Sequence, residues 1–304
     1  MVGLALVATL ALVPAGRSSA ALGPTFGQPG YLGDVESFAV LAGTQVSNAS
    51  SGTAPETQIS GDVGVYPGTS VTGFPPAVVS NGDVYVAGDP EAFDAAADFL
   101  AAYIAIDLLP PTLARPGVGP IELGGTSPVP GVYSADDFLL TNTLTLDGEW
   151  DDVWVFQADT LTTATASTVL LTGDANPCNV FWHLDSAATI EVSSDFTGTV
   201  LAGTSIEAKN AVSVDGRLLA KAAVTLDQNV ISTPLCRTGP TVVPGGGGGG
   251  GSGSGGATPS LADTGSEDSA RPALVALLLA LVGVALVATS SLRSARTRTV
   301  SYRA

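Results

Sequence analysis

Val40-Leu41-Ala42-Gly43-Thr44 recurs as Val200-Leu201-Ala202-Gly203-Thr204, so an early and a late part of the chain share one pentapeptide. A shorter pattern of polar, aliphatic, polar residues returns at Thr145-Leu146-Asp147, Thr160-Leu161-Thr162, Thr189-Ile190-Glu191, Ser205-Ile206-Glu207 and Thr225-Leu226-Asp227. Aliphatic pairs interleave with it at Val155-Phe156, Val180-Phe181, Val200-Leu201 and Leu218-Leu219. Short strands that repeat at irregular spacing mark stacked coils, each burying an aliphatic column against the next. A parallel β-helix is therefore expected. A β-sandwich, with strands joined by Gly turns, is the alternative, and the recurring pentapeptide favours the solenoid.

One segment departs from the strand pattern. Asp89-Pro90-Glu91 supplies a cap, a proline at the first helical position and an early acid. Phe93, Ala97, Leu100, Ile104 and Leu108 then recur on one face until Pro110-Pro111. The spacing predicts an amphipathic helix over most of 92–109, packed through that face against a larger surface.

The flanks read as addresses. Residues 1–21 hold an apolar stretch at 4–13, then Pro14 and Gly16, with small residues at cleavage spacing (Ser18 and Ala20, or Ser19 and Ala21). This is the pattern of a secretory signal peptide, although no Lys or Arg precedes the apolar core. The stretch is shorter than the roughly 20 residues that span a membrane. Residues 238–260 are rich in Gly, Pro, Ser and Thr, with glycine throughout 245–251. Such a linker is a flexible coil with a reach of roughly 25 Å. At the other end, 261–304, come Leu261-Ala262-Asp263-Thr264-Gly265, an apolar run at 272–289, and Arg293, Arg296, Arg298 and Arg303. An apolar run with a basic tail alone would be an ordinary single-pass transmembrane anchor. The pentapeptide resembles the cell-wall sorting signal of Gram-positive bacteria, in a variant common among actinobacteria. That resemblance implies a sortase cutting between Thr264 and Gly265 and joining Thr264 to peptidoglycan, which predicts a cell-wall anchored surface protein.

The body, 22–237, is long enough to bury a substantial core. It contains Arg115, Lys209, Arg217, Lys221 and Arg237 against 25 of the chain's 28 acidic residues, a charge near −20. Phosphate backbones are repelled, which argues against a nucleic-acid partner. Cys178 and Cys236 both fall in the exported part, where a disulfide is expected. Two buried free thiols are the alternative.

Six blocks carry a further resemblance: Phe38-Ala-Val-Leu-Ala-Gly43, Ile59-Ser-Gly-Asp-Val-Gly-Val-Tyr-Pro-Gly68, Val71-Thr-Gly-Phe-Pro75, Pro130-Gly-Val-Tyr133, Cys178-Asn-Val-Phe-Trp182 and Gly216-Arg-Leu-Leu-Ala220. Over 32–236 the chain resembles the ice-binding-like family of microbial antifreeze and ice-adhesion proteins. The resemblance implies an irregular right-handed β-helix of triangular section with one long helix alongside. It also implies adsorption to ice, as antifreeze, recrystallisation inhibitor or ice adhesin, without catalysis.

An ice-binding face is a flat array of Thr, Ser and Ala on stacked strands, in which alternate residues of each strand point outward. The repeats give an outward column of Thr145, Thr160, Thr189, Ser205 and Thr225. Its companion is Asp147, Thr162, Glu191, Glu207 and Asp227, whose carboxylates would disturb ordered water. Thr168, Thr197 and Ser213 mark an alternative face. Outward Thr is also simply common in strands. A surface adhesin of the same fold, presenting an acidic face to a polysaccharide or another cell, is the second functional reading.

Catalytic chemistry finds little support. His183 is the only histidine, lies in the buried-strand pattern Val180-Phe-Trp-His-Leu184, and is expected to be a satisfied structural residue. Cys and His are too few for a zinc cluster, and no phosphate-binding glycine loop is present. Asp136-Asp137 and Asp151-Asp152 could serve a polysaccharide-cleaving β-helix, or calcium. They read equally as solvated loops. No catalytic residue, metal or cofactor is expected.

Overall fold

Every strand pairing among the described residues is parallel, and the pairings fall into three separate ladders that share one interior. The computed structural model describes residues 31–49, 56–115 and 119–236. The signal peptide, the linker and the sorting signal lie outside these residues. The β-helix expected from the repeats is present, and the sandwich is not.

The first ladder, face A, runs in space through Val84–Tyr85, Asp62–Val65, Phe38–Ala42, and the second halves of Ser213–Ala220 and Asp195–Ala202. It continues through the first halves of Val180–Ile190 and Trp154–Thr163, then Gly131–Ala135 and Leu113–Arg115. Face B runs from Ser70–Thr72 through Gln45–Asn48, Ala223–Leu226 and Ser205–Ala208. It then passes through the second halves of Val180–Ile190 and Trp154–Thr163 to Asp137–Leu140 and Ile121–Glu122. Face C comprises Val78–Ser80, Gln58–Ser60, Val230–Ser232, the first halves of Ser213–Ala220 and Asp195–Ala202, Thr168–Gly173 and Thr143–Gly148. The strands shorten to two or three residues at both ends of faces A and B.

The spatial order differs from the chain order. The first coils lie at one end, the helix Pro90–Asp107 leaves them, and the chain resumes at the opposite end and stacks back. The last coil then pairs with the first, with Val40 opposite Leu218 and Ala42 opposite Ala220. The recurring pentapeptides flank that seam in one register, since Leu218 also lies opposite Val200. Their glycines mark a corner where backbones nearly touch. A Cβ on Gly43 would sit 1.9 Å from the Lys221 carbonyl oxygen, and one on Gly203 2.0 Å from that of Asp185.

The interior is an apolar column throughout. On face A, Tyr133, Phe156, Trp182, Val200, Leu218 and Val40 follow one another inward. Phe156 stacks on Trp182 at 4.3 Å and on Tyr133 at 5.6 Å. On face B the inward ladder is Leu161, Ala188, Ile206, Val224, Val46 and Val71. Face A is buried on its outer side too, because the helix covers it. Its strands therefore read as unbroken apolar runs such as Phe38–Ala42 instead of alternating.

The helix spans 18 residues, about 27 Å. It buries Ala92, Ala95, Phe99, Ala102, Tyr103 and Ile106 against Phe38, Leu41, Val155, Phe181, Leu201 and Leu219. The expected contact face is thus corrected. Phe93, Leu100, Ile104 and Leu108 are 43, 38, 49 and 75% exposed. The alanines let the backbone approach a sheet that supplies its own bulky aliphatics, so the bulkier helical stripe turns outward. Asp89 occupies the cap position, but its carboxylate turns back to accept the Val86 amide at 2.9 Å.

Two features hold the ends of the body. Arg217, 3% exposed, donates twice to the Glu36 carbonyl, from Nε at 3.0 Å and Nη2 at 2.8 Å. The Cys178–Cys236 disulfide is formed and bridges 58 positions of sequence, so the expected pairing is present.

Replacing both cysteines by serine should cost about 4 kcal/mol in the chain-entropy treatment, a Tm fall of roughly 10 °C. Far-ultraviolet circular dichroism at low temperature should remain unchanged, because the solenoid interior does not include the bridge. Gly43→Ala should cost on the order of 3 kcal/mol, read as a lower denaturant midpoint, since the new methyl meets backbone that cannot rotate away.

Candidate functional site

Three faces compete for the role of binding surface, and packing removes face A, which the helix covers. Face B presents an unbroken outward column of Thr162, Thr189, Glu207, Thr225, Ser47 and Thr72, each opposite the next. A second outward column contains Asp137 beside Thr160, Thr160 opposite Ala187, Ser205 opposite Ala223, and Gln45 beside Ser70. Strand separation sets the repeat along each column at about 4.8 Å, and alternate residues along a strand are roughly 6.7 Å apart. Ser47 Oγ donates to Thr225 Oγ1 at 3.4 Å, and the Thr160 hydroxyl donates to Asp137 Oδ1 at 2.5 Å.

The structure therefore brings five of the six expected residues onto one face, in two columns instead of one. Thr160 and Ser205 belong to one, and Thr162, Thr189 and Thr225 to the other. Thr145 does not join them. It lies on face C, opposite Leu170. The single column drawn from the triplets fails because register follows the interior. Leu161 lies opposite Ala188, two positions before Ile190, and one extra residue of strand Val180–Ile190 falls between the partners of Ala158 and Thr160.

The companion row of acids is dispersed as well. Asp147 is on face C, where its carboxylate accepts the Thr172 hydroxyl at 2.7 Å. Glu191 follows the end of its strand and pairs with Lys209 at 2.9 Å. Asp227 follows the strand Ala223–Leu226, with its carboxylate near the Asn210 amide. Only Glu207 of that row stands within the Thr/Ser field.

Ser47 and Thr72 were not among the expected residues. The signal for Ser47 is present: Gln45-Val46-Ser47 follows the first pentapeptide as Ser205-Ile206-Glu207 follows the second.

Face C is less regular. Thr168 and Ser213 both lie opposite Asp195, and Thr197 lies opposite Asp215. Val78, Leu170 and Val230 are about half exposed on it. Leu170, Pro177, Asp215 and Leu235 border a cavity of about 1030 Å³. Burial pushes the Asp215 carboxyl above its ordinary range, and the Arg217 charge pulls it back. A hollowed, acid-bearing surface is a poor match for a flat lattice.

The carboxylate pairs separate. Asp152 closes a turn by accepting the Glu149 amide at 2.8 Å, whereas Asp136 and Asp137 line a cavity that shares no residue with face C's hollow. His183 is buried as expected, 1% exposed, with its ring 4.2 Å from that of Tyr103. It is not satisfied, however: Nε2 has no hydrogen-bond partner among the described residues.

The class defined by this geometry is a binding solenoid with one flat hydroxyl-bearing face, and comparison with known proteins assigns the family. The ice-binding-like family model matches residues 40–232, so the chain belongs to the ice-binding-like family. An ice-binding protein of Nostoc sp. (strain HG1) is 40% identical over 215 residues, covering 69% of this chain and 76% of that protein. The crystal structure of an ice-binding protein from the Antarctic ascomycete Antarctomyces psychrotrophicus superposes with a TM-score of 0.61 at 39% identity. It covers 66% of this chain and 97% of that one. An ice-binding protein from an Arctic yeast, described for its antifreeze activity, gives a TM-score of 0.60 at 26% identity, covering 69% and 96%. The family consists of binding proteins and not of enzymes.

Proposed function

We propose that this protein adsorbs to ice through face B, without a chemical reaction. The observation that carries the reading is the continuous column Thr162–Thr189–Glu207–Thr225–Ser47–Thr72 beside a second row of Thr160, Ala187, Ser205, Ala223 and Ser70, interrupted by Gln45 and bordered by Asp137. Each residue stands on a strand whose neighbours are locked by an apolar interior. The array is therefore rigid before any contact and loses little side-chain entropy on binding. Threonine suits the task because its methyl orders water and its hydroxyl ties that water to the lattice, while two heavy atoms on Cβ restrict χ1. Ice-binding proteins among the relatives favour the same reading.

Thr162→Tyr and Thr189→Tyr should each remove most thermal hysteresis and ice recrystallisation inhibition. Ser213→Tyr on face C should leave both intact, and all three should keep Tm within about 2 °C of the parent because the side chains point outward. Activity that survives both face B variants and falls in Ser213→Tyr would move the site to face C. An inactive parent that binds surface polysaccharide would replace ice adsorption by the adhesin reading.

We further propose that the body is displayed on a Gram-positive cell surface. The supporting sequence is the ordered set of signal peptide, glycine tether, Leu261-Ala262-Asp263-Thr264-Gly265, apolar run and arginine tail. Sortase would then join Thr264 to peptidoglycan. Mass spectrometry of wall digests should recover a peptide ending at Thr264 joined to a wall fragment. Detergent extraction of chains ending at Ala304 would show membrane retention instead.

A further inference from the structure

The last helical residue, Asp107, meets the solenoid wall beside His183 and Asp185. A ligand atom from each of the three lies within 4.8 Å of the others. We propose that this cluster binds one divalent transition-metal cation of the zinc type, clasping the end of the helix to strand Val180–Ile190.

Four observations converge on a cation here. First, the His183 ring is buried while its Nε2 has no partner, and a buried polar atom left unpaired is costly. A metal ion would satisfy it.

Second, the cluster borders a cavity of about 520 Å³ into which Asp136, Asp137 and Asp159 also face. Five carboxylates thus line one space. Lys221, its Nζ 3.3 Å over the centre of the Tyr103 ring, is the one cation whose charge acts on Asp107 and Asp185 among the described residues, leaving the five-carboxylate space negative.

Third, Asp107 stands at the helix C-terminus, where the peptide dipoles leave partial negative charge, and the last turn carries no basic residue. A carboxylate there is unfavourable unless a cation joins it. Gln157 donates from Nε2 to the Ile106 and Leu109 carbonyls at 2.7 and 3.2 Å, satisfying two terminal acceptors without adding charge.

Fourth, the ligands can close on an ion. Zinc to nitrogen or oxygen distances of about 2.0–2.2 Å place tetrahedral ligands roughly 3.3–3.6 Å apart. Asp107 and Asp185 are exposed, so modest side-chain rotation brings their oxygens in while the buried imidazole stays fixed. Tyr103 donates to the Leu184 carbonyl at 3.1 Å and reaches Asp185 Oδ1 at 3.5 Å, steadying that carboxylate beside the ring. One imidazole with two carboxylates suits borderline cations better than calcium or magnesium, which prefer all-oxygen shells. The fourth position would be open to water.

His183 is the only histidine of the chain, which makes the test specific. The full chain, without any affinity tag and stripped with a chelator, is titrated separately with Zn²⁺, Co²⁺, Ca²⁺ and Mg²⁺. One zinc should bind per chain, and Tm should rise by about 5–10 °C at a hundredfold excess over Kd. The single imidazole ¹⁵N pair should shift with zinc and broaden with cobalt. Asp107→Asn and Asp185→Asn replace exposed residues and should each weaken zinc binding by more than about tenfold. His183→Asn should abolish it, and if that variant fails to fold, the two aspartate variants and the imidazole resonances decide. The proposal is overturned if zinc leaves the imidazole unmoved, if both aspartate variants bind as the parent does, or if calcium stabilises the chain as strongly as zinc.

Discussion

The seam at which the last coil lies against the first holds this molecule together. Val40, Leu41 and Ala42 pair with Leu218, Leu219 and Ala220 across most of the body's length in sequence. Without that ladder the first coils would be a short stub with both edges open, and face A would be split into two pieces too narrow for the helix. The helix in turn packs on residues from both sides of the seam, Leu41 and Phe38 from the first coil and Leu219 and Leu201 from the last two. Helix, first coil and last coil therefore support one another, and such mutual support makes unfolding cooperative. The Arg217 guanidinium, buried under the Glu36 carbonyl, reinforces the same junction; burial lowers its pKa to about 10, still leaving it charged at neutral pH. Contacts so distant in sequence also predict slow folding relative to a helical bundle of similar size.

Much of this architecture was legible in the residues. Stacked parallel coils, the helix after Asp89 and the disulfide all followed from local pattern or compartment. Register was not legible. A triplet such as Thr189-Ile190-Glu191 fixes which residues alternate, but its neighbour in space depends on how many residues each corner consumes, and corners here differ in length. Coils run from Ile121 to Phe138 and from Leu161 to Ala188 on the same ladder. The helix face failed for a related reason. A moment built on large side chains presumes that all bulk goes inward, whereas the contact face here mixes Ala92, Ala95 and Ala102 with Phe99, Tyr103 and Ile106, against a sheet that carries Leu, Val and Phe on its outer side.

Face B owes its order to residues that never meet the solvent. Each outward threonine has at least one inward aliphatic beside it on its strand, Leu161 for Thr160 and Thr162, Ala188 and Ile190 for Thr189, Val224 and Leu226 for Thr225, and Val71 for Thr72, and those aliphatics set the height of the rungs. The outer surface can therefore vary, even to a glutamate at 207, without altering the spacing of its neighbours. The region where the helix ends is different in kind. His183 is buried, while Asp107 and Asp185 are exposed and Asp185 is held by the Tyr103 hydroxyl, so an enclosed ring and solvated carboxylates meet within a few ångströms.

The tapering ends of the solenoid bear on how many such molecules can crowd together. A stacked parallel sheet terminates in unpaired amides and carbonyls, a template on which another copy could continue the ladder. Here the terminal strands of faces A and B, Ile121–Glu122 and Leu113–Arg115 at one end and Val84–Tyr85 and Ser70–Thr72 at the other, offer only two or three residues each, whereas face C ends in the six-residue strand Thr143–Gly148. Glu122 adds a charge, and its carboxylate already accepts the Gly124 and Thr141 amides. So short a ledge on faces A and B is a poor template for another copy, and face B, which ends in Ile121–Glu122 and Ser70–Thr72, is the less exposed to edge-to-edge pairing.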